Sequence, residues 1–253
     1  MKTLVAVPVY NEQAYVEGVL RRLRDYAENV LVIDDASTDQ TPQLLTDLQP
    51  ALGFELIRHP VNHGYGRSLR DAFAFAAGRG FDWIITMDCD EQHEPASIPR
   101  FLEAAAAGDL DIISGSRYLH LDEDSDSPPP DRRAINHRMT AEINERLGLT
   151  LTDSFCGFKA HRVEAMSGLT LSEDGYAFPM QLWVQAVANG LRIGEIPVRL
   201  IYNDATRTFG GGLDDAAIRE GHYRRVLHCE LERCADRLPP QALENVHAGC
   251  RCR

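Results

Sequence analysis

The chain has 253 residues, enough to bury the core of one large α/β domain, and its formal net charge is −12. An acidic balance of that size argues against a broad nucleic-acid or anionic-membrane footprint, because both need a basic face. No apolar run approaches the roughly 18 residues of a membrane span, and Met1-Lys2 leads into LVAVPV without a small-residue cleavage site. The expectation is therefore a cytoplasmic protein with no transmembrane segment.

Strands are expected at 3–9, 29–34, 54–59, 82–88 and 111–117, with helices between them at 12–27, 42–50, 66–78 and 96–107. The strand segments are continuous Val/Ile/Leu runs, the pattern of parallel strands buried on both faces. Asn11 is a candidate N-cap for the first helix, and Pro42 suits a first helical turn. The acidic, Ser-rich stretch 121–131 carries three consecutive prolines and reads as a mobile surface loop. A helix follows at 133–147, then a strand–helix region from 150 to 202. Past Gly212, residues 214–238 put Ile218, Tyr223, Val226, Leu227, Leu231, Cys234 and Leu238 on one helical stripe. That helix suits packing on the domain or on a second copy in a homodimer, while its Arg residues mix with Asp and Glu on the other face. The division expected is a catalytic domain over 1–205 and a helical extension with a tail over 206–253. The six cysteines lack the paired C-x-x-C spacing of a zinc site and read as reduced thiols.

Polar clusters end the strands. Pro8-Val9-Tyr10-Asn11-Glu12 follows the first, Asp34-Asp35 the second and Asp88-Cys89-Asp90 the fourth. In open α/β sheets ligands bind beyond the carboxyl ends of the strands, and three acidic clusters on one edge call for a cation. Alternate residues leaving a strand can aim two carboxylates at one ion, so Asp88 and Asp90 are the candidate ligands. Gln92 and His93 stand near enough to complete the shell. Hard oxygen donors suit Mg²⁺ or Mn²⁺ with positions left for a diphosphate. The run from Asp34 to Asp39, with Asp35 and Ser37, suits a nucleoside, since carboxylates accept from ribose hydroxyls or a base edge.

PVYNE (8–12), DDASTDQT (34–41), MDCDEQHEP (87–95) and GSRY (115–118) together resemble the family 2 glycosyltransferases, in particular their polyprenyl-phosphate mannosyltransferase branch. The resemblance runs over roughly residues 3–200. It implies the A-type nucleotide-diphospho-sugar transferase fold, a mostly parallel sheet with helices on both faces. It also implies inverting, metal-dependent hexosyl transfer from GDP-mannose or UDP-glucose to a polyprenyl phosphate. Pro8, Tyr10, Asn11, Glu12, Asp34, Asp35, Ser37 and Gly64 would bind the nucleotide sugar, and Asp88, Asp90 and Gln92 the metal. Arg117, Arg132 and Arg207 would hold the acceptor phosphate, at the inner face of the membrane. The chain departs from the branch at Asn136, where a serine is usual, at Gln181, where a glutamate is usual, and at Tyr202-Asn203-Asp204, where an arginine is usual.

Asp88, Asp90, Arg117 and Asp153 are the expected catalytic set. A phosphate acceptor is already mostly ionised at neutral pH and needs no strong base. A hydroxyl acceptor would need one, with Asp153 the candidate. Two alternatives stand beside the lipid reading: transfer to a saccharide or small hydroxyl acceptor, and a non-catalytic nucleotide-binding protein.

Overall fold

The computed structural model describes residues 1–119, 126, 128–201 and 208–246. Alternation begins with β1 (Thr3–Val9), α1 (Val16–Leu23), β2 (Val30–Asp34), α2 (Thr41–Leu52), β3 (Glu55–Arg58), α3 (Tyr65–Gly78) and β4 (Trp83–Thr86). It continues through α4 (Ile98–Ala107), β5 (Ile112–Ser116), α5 (Pro130–Leu147), β6 (Lys159–Arg162), α6 (Val163–Ser167), α7 (Phe178–Ala188), β7 (Ile193–Pro197) and α8 (Ala216–Arg233). The strands form one sheet in the order β3-β2-β1-β4-β6-β5-β7. All neighbours are parallel except β6, which runs antiparallel to both β4 and β5.

Alternate residues of β1 feed two cores. Leu4 and Ala6 join the core built with α3, α5, α7 and α8, while Val5, Val7 and Val9 join that of α1, α2 and α4. Helices therefore cover both faces, which is why these strands carry no polar alternation. In α1 the buried Val16, Val19, Leu20 and Leu23 form a single stripe.

The first helix begins later than expected because Asn11 does not cap it. Asn11 sits at φ 57°, and its Oδ1 accepts the N–H of Thr38 at 2.7 Å, tying the β1 loop to the β2 loop. Residue 15 is the N-cap instead. α8 departs from its expected stripe at one end. Tyr223, Leu227, Leu231 and Cys234 are buried as expected, but Ile218 is 57 % exposed and Val226 only half-buried. The helix packs on α5 and α7 within the first core, so the described part of 206–253 shares the core of the preceding residues. Cys89, Cys156 and Cys234 are free thiols, whereas Cys229 is disulfide-bonded, against the expectation of thiols throughout. Among the described residues, no helix is long and apolar enough to cross a membrane. The expected loop at 121–131 falls largely outside the described residues, as does Arg207.

Candidate active site

Because β1, β2 and β4 are parallel neighbours, their carboxyl ends open on one edge. There Pro8, Tyr10, Glu12, Asp35, Gly64, Asp88, Asp90, Gln92, Arg117 and Arg132 line a single cleft of about 660 Å³. Ten of the residues singled out from the sequence are thus brought together. Asn11, Asp34 and Ser37 are not among the lining residues. The Ser37 N–H donates to Asp34 Oδ1 at 3.0 Å, and the Asn11 N–H donates to Ser37 Oγ at 3.0 Å. These three bond to one another across the loops that follow β1 and β2.

At one end, Asp35 is buried and accepts the N–H of His63 on Oδ1 at 2.8 Å and that of Gly64 on Oδ2 at 2.7 Å. Gly64 has φ 99°, and a Cβ there would lie 2.4 Å from the carbonyl oxygen of Asp174. The turn before α3 therefore requires glycine both for its backbone conformation and for the close approach of a neighbouring loop.

Asp88 and Asp90 occupy the middle of the cleft. The Tyr65 hydroxyl donates to Asp88 Oδ1 at 2.9 Å, and Tyr65 stacks on Tyr176 with ring centroids 6.0 Å apart. The Gln92 N–H donates to Asp90 Oδ1 at 3.2 Å, and Glu91, at φ 59°, is tied down by Arg22. His93 does not complete a metal shell. The Asp88 N–H donates to its Nδ1 at 3.0 Å, so that nitrogen is unprotonated, and burial lowers the imidazole pKa to about 4. It is a neutral support behind the loop.

Asp88, Asp90 and Gln92 are then the oxygen-bearing side chains of this loop that line the cleft, and no group of three or more His, Cys, Asp and Glu is gathered for a metal among the described residues. This set fits a hard divalent cation that takes one or two carboxylates and completes its shell with water and substrate phosphates.

The far end is basic. Arg117 leaves β5 and donates through Nε and Nη2 to Asp153 at 2.6 and 3.0 Å, a bidentate pair. Asp153 is 0 % exposed and also accepts the Asn136 amide at 2.7 Å. Burial would raise its pKa, but Arg117 and Asn136 outweigh that and hold it at about 2. Burial likewise works against the charge on Arg117, and Asp153 more than restores it. Asp153 thus has neither an open face nor the basicity for a general base, which overturns that expectation. It orients Arg117.

Sequence reasoning missed Arg219. Only 3 % exposed, it donates from α8 to Asp131 Oδ2 at 2.8 Å and to the Leu213 carbonyl at 2.7 Å. Its guanidinium lies 4.6 Å from the centre of the Phe209 ring, and that of Arg132 lies 4.7 Å from the same ring. A signal was present: Arg219 stands four residues before Tyr223, on the apolar stripe itself.

The sheet order and the cleft at the carboxyl edge define an A-type nucleotide-sugar transferase fold. Glucosyl-3-phosphoglycerate synthase from Mycobacterium tuberculosis, solved in complex with uridine diphosphate, superimposes with a TM-score of 0.66 at 18 % identity over 94 % of this chain and 81 % of that one. The TarS fragment of S. aureus gives a TM-score of 0.56 at 16 % identity, over 92 % of this chain and 71 % of its own. The model of glycosyl transferase family 2 matches residues 4–169, and the chain belongs to that family and is a glycosyltransferase. Among its relatives, the undecaprenyl-phosphate mannosyltransferase of Micrococcus luteus is 30 % identical over 230 residues, 86 % of this chain and 92 % of that protein. The polyprenol monophosphomannose synthase of Mycolicibacterium smegmatis is 31 % identical over 206 residues, 78 % and 76 % of the two chains.

Proposed function

We propose that the chain transfers a hexosyl group, with inversion, from a nucleotide-diphosphate sugar such as GDP-mannose or UDP-glucose to a polyprenyl phosphate met at the cytoplasmic membrane surface. One observation carries the reading: a single cleft holds the Asp88–Asp90 carboxylates in its middle and arginines at its far end. The first group suits a metal-bound diphosphate and the second a phosphate acceptor, and the lipid-phosphate relatives support the pairing.

Asp88, Asp90 and Gln92 would hold Mg²⁺ or Mn²⁺, which supplies Lewis-acid stabilisation of the departing diphosphate. Pro8, Tyr10, Glu12, Asp35 and Gly64 position the nucleoside. Arg117, kept charged and in place by Asp153, and Arg132 draw the acceptor phosphate towards the sugar. A phosphate monoester, with its second pKa at about 6, arrives as a nucleophile needing no proton removed. Holding it in line is then most of the task. The low basicity of Asp153 favours this acceptor over a hydroxyl.

The test is to incubate the protein with each donor, Mg²⁺ or Mn²⁺ and short-chain polyprenyl phosphate, then to analyse extracted lipids by mass spectrometry. A hexosyl-phosphate lipid that requires metal and disappears in Asp90→Ala is expected. Donor consumption with transfer only to sugar hydroxyls would overturn the lipid acceptor.

A further inference from the structure

Resting on the reading of Asp88 as a metal ligand, we infer that buried Glu230 in α8 is a positioning residue for the donor end of the cleft, acting through Gln181 and the loop between α6 and α7. That loop, residues 168–177, reaches the cleft at Gly175 and Tyr176. Its 173–174 stretch lies across the turn that opens α3. The Arg67 N–H donates to the Asp174 carbonyl at 3.1 Å. A Cβ on Gly66 would lie 2.4 Å from the Glu173 carbonyl oxygen, as one on Gly64 would from that of Asp174. Two glycines thus seat the loop, and Tyr65 stands between them. Tyr65 both stacks on Tyr176 and donates to Asp88 Oδ1, so the seating of the loop on α3 sets where that carboxylate points.

Two glutamines of α7 hold the loop from behind. Gln181 Oε1 accepts the N–H groups of Ser172 and Glu173 at 2.7 and 2.8 Å. Gln185 Oε1 accepts the Thr170 N–H at 2.9 Å, and its Nε2 donates to the Thr170 carbonyl at 3.0 Å. Backbone N–H groups only donate, so each amide oxygen must face the loop, which turns the NH₂ groups towards α8. There both meet Glu230. Gln181 Nε2 donates to its Oε2 at 2.9 Å and Gln185 Nε2 to its Oε1 at 2.5 Å. All three residues are only 2–3 % exposed.

This clasp needs one carboxylate and two amides. In Gln181→Glu the new side chain can still accept from the loop, but its second oxygen meets Glu230 Oε2, and two buried like charges repel. In Glu230→Gln a single oxygen serves two donors, so one glutamine of α7 loses its acceptor and faces an NH₂ group. Exchanging both, in Gln181→Glu/Glu230→Gln, restores the match: the carboxylate accepts from the loop and from the amide at 230, whose oxygen still takes Gln185. Arg233 also donates to Glu230 Oε2, at 2.8 Å, but its side chain is 45 % exposed and can turn to water.

Calorimetric titration of the full chain with UDP and with GDP, each with Mn²⁺, tests this on the nucleotide the parent binds. Gln181→Glu and Glu230→Gln are each expected to weaken Mn²⁺-dependent binding about tenfold or more, the loss typical of a disturbed ligand orientation, and the double exchange to recover it. A purely structural role would lower the Tm of the single variants and leave the affinity of the folded protein at the parent's value. That result overturns the inference, and so does a double exchange that binds no better than either single one. If the single exchanges do not fold, Gln181→Met carries the test, since it is similar in size, adds no charge and releases the loop N–H groups. It is expected to lose affinity to the same degree, and parental affinity in that variant overturns the inference. Absence of Mn²⁺-dependent binding of either nucleotide by the parent would instead overturn the metal reading of Asp88.

Discussion

A Cβ on Gly157 would lie 2.4 Å from Oδ2 and 2.7 Å from Oδ1 of Asp88. The glycine is the space the carboxylate occupies. Gly157→Ala would therefore push Asp88 out of line with Asp90 while adding only one methyl group. Ligand orientation of this kind is typically worth 10- to 100-fold in metal affinity. The expected result is that loss in Mn²⁺-dependent nucleotide binding by calorimetry, with a circular dichroism spectrum unchanged from the parent. Retained affinity would mean that Asp88 does not face the metal. The Asp88-x-Asp90 spacing was legible in the sequence because both carboxylates come from one strand end. The fate of Asp153 was not, because its character is set by Arg117, 36 residues away in the chain. A residue letter does not show whether a carboxylate is open or already clasped.

Strands β1, β2 and β4 were readable because each buries a local run such as VLVID, with all five residues covered. β6 is the sequence KAHR, which has no apolar run and is a strand only because β4 and β5 flank it. The departure at Gln181 also makes sense between elements. Its Oε1 accepts the N–H groups of Ser172 and Glu173 at 2.7 and 2.8 Å, and its Nε2 donates to buried Glu230 of α8 at 2.9 Å. A glutamate at 181 would set two carboxylates face to face there. Helix α8 likewise secures the cleft through Arg219, whose partner Asp131 is 88 residues distant. Arg219→Met keeps the packing volume but releases Asp131, the Leu213 carbonyl and the Phe209 ring. We expect the KM for polyprenyl phosphate to rise about tenfold, a loss of roughly 1.4 kcal/mol, with the Kd for donor nucleotide unchanged. An equal loss in nucleotide affinity would show a general structural role instead.

For the whole molecule, acid stability follows from what the sheet buries. His161 in β6 is buried against Phe73, its Nδ1 has no hydrogen-bond partner among the described residues, and burial lowers its pKa to about 3. Unfolded, the same imidazole titrates near 6.5. Between those values the unfolded chain binds the extra proton, so stability falls as pH falls, by about 1.4 kcal/mol per pH unit for one such group. Asp153 and Glu142, each held at about 2 in the folded chain, add their loss only below the ordinary carboxylate range. His161→Phe should therefore flatten the decline of Tm between pH 6.5 and 4.5 in calorimetric scans. An unchanged slope would show that His161 takes up its proton while folded. The same strand has a consequence during synthesis. β4 and β5 are consecutive strands along the chain yet are not paired with each other, since β6 lies between them. Until β6 is made, β4 carries one open ladder edge and β5 carries two, because the other partner of β5, β7, comes later still, and open edges are templates for pairing with other chains. A fragment ending before Gly157 would keep the Asp88–Asp90 pair but lack the glycine against which Asp88 packs, leaving a sticky half-sheet in place of an enzyme.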